Sequence, residues 1–198
     1  MPLYHWQEPS CKKLVDVLSV GQAALDGSDT GVGKTFSALE AARRLGQKPL
    51  VITPKSVMTA FARVAQTLGV PLIDVINVER LKTGKTPYLT KGKDSFIWNL
   101  PRGTLVIFDE AHVCSGDKTA NSKVLALTKA YGLKALMLSA TIAETPLKMR
   151  AVGYLLGLHG YTNQSYYDWC RQHGCVRSPW GNGALEFTRN PTRAKEAM

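Results

Sequence analysis

A short glycine-rich segment constrains this chain more than any other part of it. The segment runs from Ser28 to Thr35, reads Ser-Asp-Thr-Gly-Val-Gly-Lys-Thr, and lies between a short apolar run and a stretch with a helical pattern. Gly31 and Gly33 can adopt backbone conformations that residues with a Cβ resist, so the N–H groups of this turn can surround an anion. Lys34 adds a cation, and the helix that follows directs the positive end of its dipole at the same place. The segment therefore predicts a P-loop for nucleotide phosphates, although Ser28 stands where such loops usually begin with glycine.

The P-loop pattern gives each of its residues a predicted role. Lys34 would reach the outer phosphates and act in catalysis, and the Thr35 hydroxyl would be a ligand of Mg²⁺. The nucleotide would be bound by Asp29, Thr30, Gly31, Val32, Gly33, Lys34 and Thr35.

An acidic pair follows a second apolar run. Residues 105–108 have the composition of a strand buried on both faces, which places Asp109 and Glu110 at its carboxyl end. Open α/β sheets bind their ligands at that edge. Asp109 is predicted to hold the metal ion, and Glu110 to orient or deprotonate the attacking water. Either motif alone could be accidental, but their order, each after a strand-like run, favours one triphosphate site.

Apolar runs and helix-patterned stretches alternate along the chain. This alternation predicts an α/β fold with a mainly parallel sheet flanked by helices. The predicted strands are 22–25, 50–53, 72–77, 105–108 and 135–138, with a further candidate at 96–100, and the first predicted helices are 33–45 and 56–68. Gly46, Gly69 and Gly132 are expected to end helices. Because the alternation fails from about His159, we predict one lobe over residues 1–157 and an irregular basic extension over 158–198, packed on that lobe or leading to a second one.

Length and composition restrict the class of protein. A chain of 198 residues suits one domain with its own core. Neither a signal-peptide pattern nor an apolar run of roughly 20 residues is present, so an intracellular protein, cytoplasmic or nucleoid/nuclear, is expected. The four cysteines are too few for a disulfide framework and are expected as thiols. Cys170, His173 and Cys175, with His159 nearby, could belong to a zinc site, but ordinary packing is favoured because a second matched pair of ligands is lacking.

The net charge of +10 favours a polyanionic partner. One basic cluster lies in a polar loop and consists of Lys82, Lys85, Lys91 and Lys93. A second cluster lies toward the end of the chain and consists of Arg171, Arg177, Arg189, Arg193 and Lys195. A solvated surface explains either cluster equally well.

Two further motifs point to a known family. The acidic pair begins the sequence Asp-Glu-Ala-His at 109–112, and Ser-Ala-Thr follows the last predicted strand at 139–141. With the P-loop, these motifs resemble the first motor lobe of a superfamily 2 helicase or translocase, over about residues 1–157. Further motifs of the Swi/Snf-like branch are matched by segments 53–57 and 76–81 and by the segment that begins at Pro146. The resemblance implies a RecA-like P-loop fold, the use of ATP and Mg²⁺, binding to the backbone of DNA or RNA, and a second RecA-like lobe from the same longer chain or another subunit.

The resemblance also assigns residues outside the P-loop. Gln7 would read the edge of adenine, because its amide offers both a donor and an acceptor. The alternative is a surface glutamine beside a packed Trp6. His112, Ser139 and Thr141 would couple the nucleotide site to the nucleic acid, unless the last two simply end a strand.

A predicted helix start offers a contact for nucleic acid. Ser56 could cap the helix that follows it, and the unpaired N–H groups of that helix would face a phosphate with Lys55 beside them. An ordinary cap with a solvated lysine is the alternative. By resemblance, Arg80 joins Lys55 and Ser56 as a nucleic-acid contact.

These observations predict the ATP-binding lobe of a nucleic-acid-dependent ATP hydrolase of the helicase or translocase type. By resemblance, the second lobe supplies arginines to the ATP site, so hydrolysis by this lobe alone should be weak. The final segment, 194–198, has helix propensity and no terminating glycine, which suggests half of a longer motor. Two alternatives remain, an ATP-gated nucleic-acid-binding module without motor activity and a P-loop ATPase that acts on protein partners. Nucleic-acid-stimulated ATP turnover would distinguish the motor from both.

Overall fold

The structure, a computed structural model, describes residues 3–93, 95–116, 119–178 and 184–188. Within these ranges the helices are α1 Glu8–Val20, α2 Lys34–Arg44, α3 Met58–Leu68, α4 Val78–Lys82, α5 Ala120–Ala130, α6 Arg150–Leu155 and α7 Asn163–Gln172. The strands are β1 Ala23–Asp26, β2 Leu50–Ile52, β3 Asp74–Ile76, β4 Leu89–Lys91, β5 Phe96–Trp98, β6 Leu105–Asp109, β7 Lys134–Leu138, β8 Cys175–Arg177 and β9 Leu185–Phe187. Single turns of 3-10 helix lie at Lys55–Val57, Ala111–Cys114 and Pro146–Lys148.

Five strands form one parallel sheet in the order β1-β7-β6-β2-β3. The central strand β6 is paired on both sides, with Val106 opposite Leu50 of β2 and Ala135 of β7. Its residues 105–108 are almost completely buried, as expected for a strand that is covered on both faces. The predicted α/β fold with a parallel sheet is therefore confirmed.

Alternating side chains of the sheet enter two separate cores, because successive residues of a strand point to opposite faces. Val106 and Phe108 pack on one side with α4, α5, α6 and the β4–β5 hairpin. Leu105 and Ile107 pack on the other side with α1, α2 and α3. Since all five strands are parallel, their carboxyl ends lie together at one edge of the sheet. No helix among the described residues is both long enough and apolar enough to cross a membrane.

The predicted helix ends are confirmed, but one predicted cap is wrong. Gly46, Gly69 and Gly132 follow helices with positive φ angles of 64°, 66° and 66°, a conformation that glycine adopts without steric cost. Ser56 does not cap α3, because residues 55–57 already form a 3-10 turn after Pro54 and the helix begins at Met58 without a side-chain cap.

Beyond the main sheet, one prediction is confirmed and another needs correction. The candidate strand at 96–100 exists as β5 but pairs with β4 in a separate antiparallel hairpin. The extension predicted as irregular over 158–198 contains α7 and the β8–β9 hairpin among its described residues. Thr162 caps α7 by accepting a hydrogen bond from the Ser165 N–H, and the Tyr166 hydroxyl donates to the carbonyl of Leu147 at 2.7 Å. The mixed aromatic and polar composition concealed this capped amphipathic helix.

Candidate active site

The P-loop connects the end of β1 to the start of α2. Gly31 and Gly33 have φ angles of 81° and 88°, in the left-handed region that residues with a Cβ rarely adopt. Gly33 is the N-cap residue of α2, and no side chain caps this helix. The first N–H groups of α2 are therefore available to an anion at the positive end of the helix dipole.

Lys34 lies under the loop that precedes it. Its Nζ donates hydrogen bonds to the carbonyl oxygens of Ser28 at 2.7 Å and Asp29 at 2.8 Å. Ser28 is itself held by Asp26 at the end of β1, whose Oδ1 accepts from both the N–H and the hydroxyl of Ser28. This pair of hydrogen bonds gives Ser28 a structural role at the position where P-loops usually have glycine. The sequence pattern did not reveal Asp26, because nothing in it marks the last residue of β1 as a partner of the loop.

Gln7 packs directly against the P-loop. It is 6% exposed, its Nε2 donates to the carbonyl of Val32 at 3.1 Å, and its Oε1 accepts from the Tyr4 N–H at 3.1 Å. A Cβ at Gly33 would lie 2.1 Å from Gln7 Nε2, so the glycine allows this contact. The alternative of a surface glutamine is therefore wrong, and recognition of adenine by Gln7 stays a prediction. One N–H and one acceptor lone pair of the amide remain for such a ligand.

Two aromatic rings lie beside Gln7 in the chain. Tyr4 and Trp6 stack with ring centroids 4.5 Å apart and an interplanar angle of 2°, and both are about half exposed. The start of α1 is joined to α2 by Arg44, which contacts Glu8 at 2.6 Å and Glu40 at 2.8 Å. These ion pairs fix the segment that carries Gln7 relative to the helix of the P-loop.

Asp109 ends β6 and receives a hydrogen bond across the sheet. Thr53, which follows β2 and is 2% exposed, donates from Oγ1 to Asp109 Oδ2 at 2.6 Å. Both residues line an apolar cavity of about 170 Å³ with side chains such as Phe108 and Cys114. Burial raises the pKa of the Asp109 carboxyl above its ordinary value, the Thr53 hydrogen bond opposes this shift, and the charge of Glu110 adds to it. The opposing charge of Lys34 has a smaller effect on the pKa of Asp109.

Glu110 has an unusual backbone conformation. Its φ of 52° and ψ of 48° lie in the left-handed region, and it is the only non-glycine residue with positive φ among those the structure describes. Such conformations cost of order 1 to 3 kcal/mol and persist where surrounding contacts hold them. One contact is to His112, whose Nδ1 lies 3.0 Å from Glu110 Oε2. An ionised carboxylate only accepts hydrogen bonds, so this contact requires the proton on Nδ1.

His112 also approaches the end of β7. Its Nδ1 lies 3.3 Å from the hydroxyl of Ser139, which is 1% exposed. The Ser139 N–H in turn donates to the carbonyl of Asp26 at 3.1 Å, next to the P-loop. The structure thus brings together two of the three predicted coupling residues, whereas Thr141 is exposed beyond them. Coupling itself stays a prediction.

The predicted nucleic-acid contacts lie after neighbouring strands. Lys55 and Ser56 follow β2, Arg80 lies in α4 after β3, and all three residues are exposed. They therefore share the sheet edge with Asp109. Asn77 caps α4 by accepting from the Arg80 N–H at 2.8 Å, which fixes the backbone at Arg80.

The cysteine and histidine residues near the end of the described chain form part of a small core. Cys170 and Cys175 are buried, and burial together with the adjacent Cys170 thiol raises the pKa of Cys175 to about 12. A metal site needs the thiolate, which this environment disfavours. His173 contacts the carbonyl of Trp169 through Nδ1 at 2.8 Å, and the described residues contain no group of three or more histidine, cysteine or acidic side chains placed to hold a metal ion.

The second basic cluster is described only in part. Arg171 pairs with Asp168 at 2.7 Å, and Arg177 is exposed. Arg189, Arg193 and Lys195 lie outside the described residues.

Sequence comparison with known proteins identifies a relative of this chain. No protein-family model matches the chain. A protein of Acanthamoeba polyphaga mimivirus that is named as an ATP-dependent RNA helicase is 35% identical over 182 residues, which cover 81% of this chain and 34% of that protein. The chain thus spans about a third of the length of this curated relative.

Solved structures show a similar fold. The SWI2/SNF2 ATPase core of Sulfolobus solfataricus in complex with dsDNA has a TM-score of 0.61 at 18% identity, and the match covers 87% of this chain and 39% of that one. The Hef helicase domain of Pyrococcus furiosus has a TM-score of 0.55 at 17% identity, and the match covers 77% of this chain and 35% of that one. Both likenesses confirm the RecA-like fold predicted from the motifs.

Proposed function

We propose that this chain, which has a RecA-like fold, is a lobe of the superfamily 2 helicase type that binds ATP and couples ATP hydrolysis to movement on DNA or RNA. The observation that carries the proposal is the shared sheet edge. There the P-loop offers uncapped N–H groups and the ammonium of Lys34, while Asp109 and Glu110 supply carboxylates. Groups suited to phosphate recognition and groups suited to acid-base chemistry therefore lie at the same edge of the sheet.

The residues present fit a magnesium nucleotide. Gly31 and Gly33 have the positive φ angles that a phosphate-binding turn uses, and Lys34 now donates to backbone carbonyls that cannot neutralise its charge. Mg²⁺ would be held by Thr35 and Asp109 and would neutralise charge on the β- and γ-phosphates. Asp109 has one oxygen occupied by Thr53, which orients the carboxylate.

The carboxylate of Glu110 would position and deprotonate the attacking water. His112 holds this carboxylate and would release it or reorient it when Ser139 moves with the end of β7. Lys34 would stabilise charge that develops on the γ-phosphoryl group. Gln7 and the stacked rings of Tyr4 and Trp6 offer polar groups and a flat surface to the adenine.

ATP binding by the chain tests the nucleotide site. Isothermal titration calorimetry with ATP and Mg²⁺ should show binding that Lys34→Ala abolishes while the melting temperature stays that of the wild type. Lys48→Ala is the matched control, because Lys48 is exposed and lies beyond the far end of α2. Equal ATP affinity in the Lys34→Ala and Lys48→Ala variants would show that the assignment is wrong.

ATP turnover tests the motor function. Motors of this superfamily complete the ATP site with arginines from a second lobe, and an added arginine contributes about 10³ to 10⁵ in rate. We therefore expect slow turnover by this lobe alone and strong stimulation by DNA or RNA when a second lobe is joined to it. Turnover that is rapid but unaffected by nucleic acid would favour an ATPase that acts on protein partners.

A further inference from the structure

Four lysines surround an open groove away from the P-loop. The groove has a volume of about 400 Å³, and its charged lining residues in the described chain are Lys82, Lys91, Lys93 and Lys123. We call it the lysine groove. Lys123 comes from α5 and was not part of the cluster seen in the sequence, because α5 reaches the hairpin only in the folded chain.

Three elements of the core hold the lysine groove in place. Lys82 ends α4, Lys91 ends β4, and Lys123 lies in the first turns of α5. A Cβ at Gly84 would lie 2.4 Å from the backbone nitrogen of Lys91, so the exit of α4 packs tightly on the hairpin. Phe96 of β5 lines the groove but is 7% exposed, since its ring packs into the core. The backbone that carries these lysines is therefore held by the core, while Lys91, Lys93 and Lys123 are exposed.

The charges of the groove are largely uncompensated among its described neighbours. Lys91, Lys93 and Lys123 are exposed, and Lys82 pairs with Glu79 at 2.9 Å. An exposed pair of this kind contributes about 0 to 1 kcal/mol, so an anion can displace Glu79 at little cost. Bringing four like charges to one concave surface is unfavourable without a counter-anion.

The groove lies close to the edge of the sheet where nucleic acid is expected. α4 carries Arg80 near its middle and Lys82 at its last position, two residues apart and therefore on different sides of the helix, and β6 leads through the 111–114 turn toward α5. Because α4 is a single short helix, a nucleic-acid strand that contacts Arg80 on one side of it can reach the groove on the other side. The lysine groove thus continues the basic surface of Lys55 and Arg80 on the face of the sheet that α5 covers.

We propose that the lysine groove binds the phosphodiester backbone of nucleic acid as a second contact area beyond α4. This inference rests on the proposed function. Lysine ammonium groups act as point charges without the fixed fork of arginine, so they suit phosphates that are held without base recognition. Phe96 is too buried to stack on a base, and no exposed aromatic side chain lines the groove among its described residues.

The test is nucleic-acid binding by paired charge variants. Lys91→Ala with Lys123→Ala removes two charges from the groove, and Lys12→Ala with Lys13→Ala removes two exposed charges from α1 on the opposite face of the sheet. Fluorescence anisotropy with labelled oligonucleotides of unrelated sequence would be measured between about 50 and 200 mM salt. If both lysines contact phosphates, the groove variant should lower the slope of log affinity against log salt by about 1.4 to 1.8, and the α1 variant should leave it unchanged.

Two further measurements distinguish a failure of the groove proposal from a failure of the proposed ATP site. Lys91→Arg with Lys123→Arg should retain the wild-type slope, and calorimetry should give wild-type ATP affinity for every groove variant. Equal salt slopes for the groove and α1 variants would refute nucleic-acid binding by the groove, and wild-type ATP affinity in the same variants would leave the proposed ATP site unaffected. Poly-glutamate and an oligonucleotide of equal charge would also be compared as competitors for the groove. Stronger competition by poly-glutamate would refute the proposal and favour an acidic protein partner.

Discussion

Replacing Thr53 by valine should destabilise the protein through the carboxylate of Asp109. Thr53 is 2% exposed and donates the 2.6 Å hydrogen bond to Asp109 Oδ2. Valine has nearly the same shape, so the substitution removes the donor without opening a cavity. The carboxylate then faces an apolar cavity and the neighbouring charge of Glu110 without this hydrogen bond.

The expected loss depends on pH. A hydrogen bond to a charged group contributes about 1.5 to 3 kcal/mol, and one between neutral groups about 0.5 to 1.5 kcal/mol. Burial already raises the pKa of Asp109, and the Thr53 hydrogen bond limits that rise. When the folded pKa of a carboxyl is raised, ionisation costs stability above that pKa, and the cost disappears below the unfolded pKa of about 4. Thr53→Val should therefore lower the free energy of unfolding by about 1.5 to 3 kcal/mol near pH 7.5 and by about 0.5 to 1.5 kcal/mol near pH 3.

Urea denaturation at both pH values measures this difference. Thr53→Ser is the matched control, because serine keeps the hydroxyl and loses one methyl group, which costs about 1 kcal/mol at either pH. A loss in the valine variant that does not change with pH would refute the link to Asp109. A serine variant with the same pH dependence as valine would refute it as well.

Three other changes test the remaining parts of the site. Glu110→Gln should keep wild-type ATP affinity by calorimetry and abolish turnover in the two-lobed assembly, because the amide cannot deprotonate water; near wild-type hydrolysis would remove Glu110 from that role. Gly33→Ala should weaken ATP binding more than Gly31→Ala, because both strain a positive φ but only the first places a Cβ 2.1 Å from the buried glutamine amide; equal affinities in the same titration would contradict this. Lys55→Ala with Arg80→Ala should lower the salt slope of nucleic-acid binding by about 1.4 to 1.8 for every sequence, and an unchanged slope would place the basic surface elsewhere.

Local sequence signals predicted much of the fold. Gly69 ends a helix because the left-handed conformation it needs is strained in other residues, so the signal lies in the residue itself. The run at 105–108 predicted a buried strand because its composition reflects burial on both faces. The same local reasoning failed for Ser56, because Pro54 starts a 3-10 turn that moves the helix start to Met58. A cap depends on backbone conformation, which residue type alone does not fix.

Contacts between distant segments could not be predicted in the same way. Thr53 reaches Asp109 because β2 and β6 are neighbours, and the strand order is absent from any local pattern. Gln7 was predicted as an adenine ligand by resemblance, but its packing on Val32 follows from how α1 crosses α2. Lys123 joins the lysine groove for the same reason, since α5 meets the hairpin only in the assembled core.

Asp109 at the end of β6 and Glu110 after it are connected to the two strands that flank β6. Asp109 is bound to Thr53 after β2, from which the chain continues into the exposed turn of the predicted nucleic-acid contacts. Glu110, turned by its left-handed backbone, contacts His112, which approaches Ser139 after β7 and through it the end of β1 at the P-loop. A displacement of the end of β6 relative to β2 or β7 would therefore change the contact between Thr53 and Asp109 or the contact between His112 and Ser139. Because Asp109 and Glu110, the proposed metal-binding and water-activating carboxylates, are adjacent in sequence, the same displacement would change both at once, as the predicted coupling of nucleotide chemistry to the nucleic-acid surface requires.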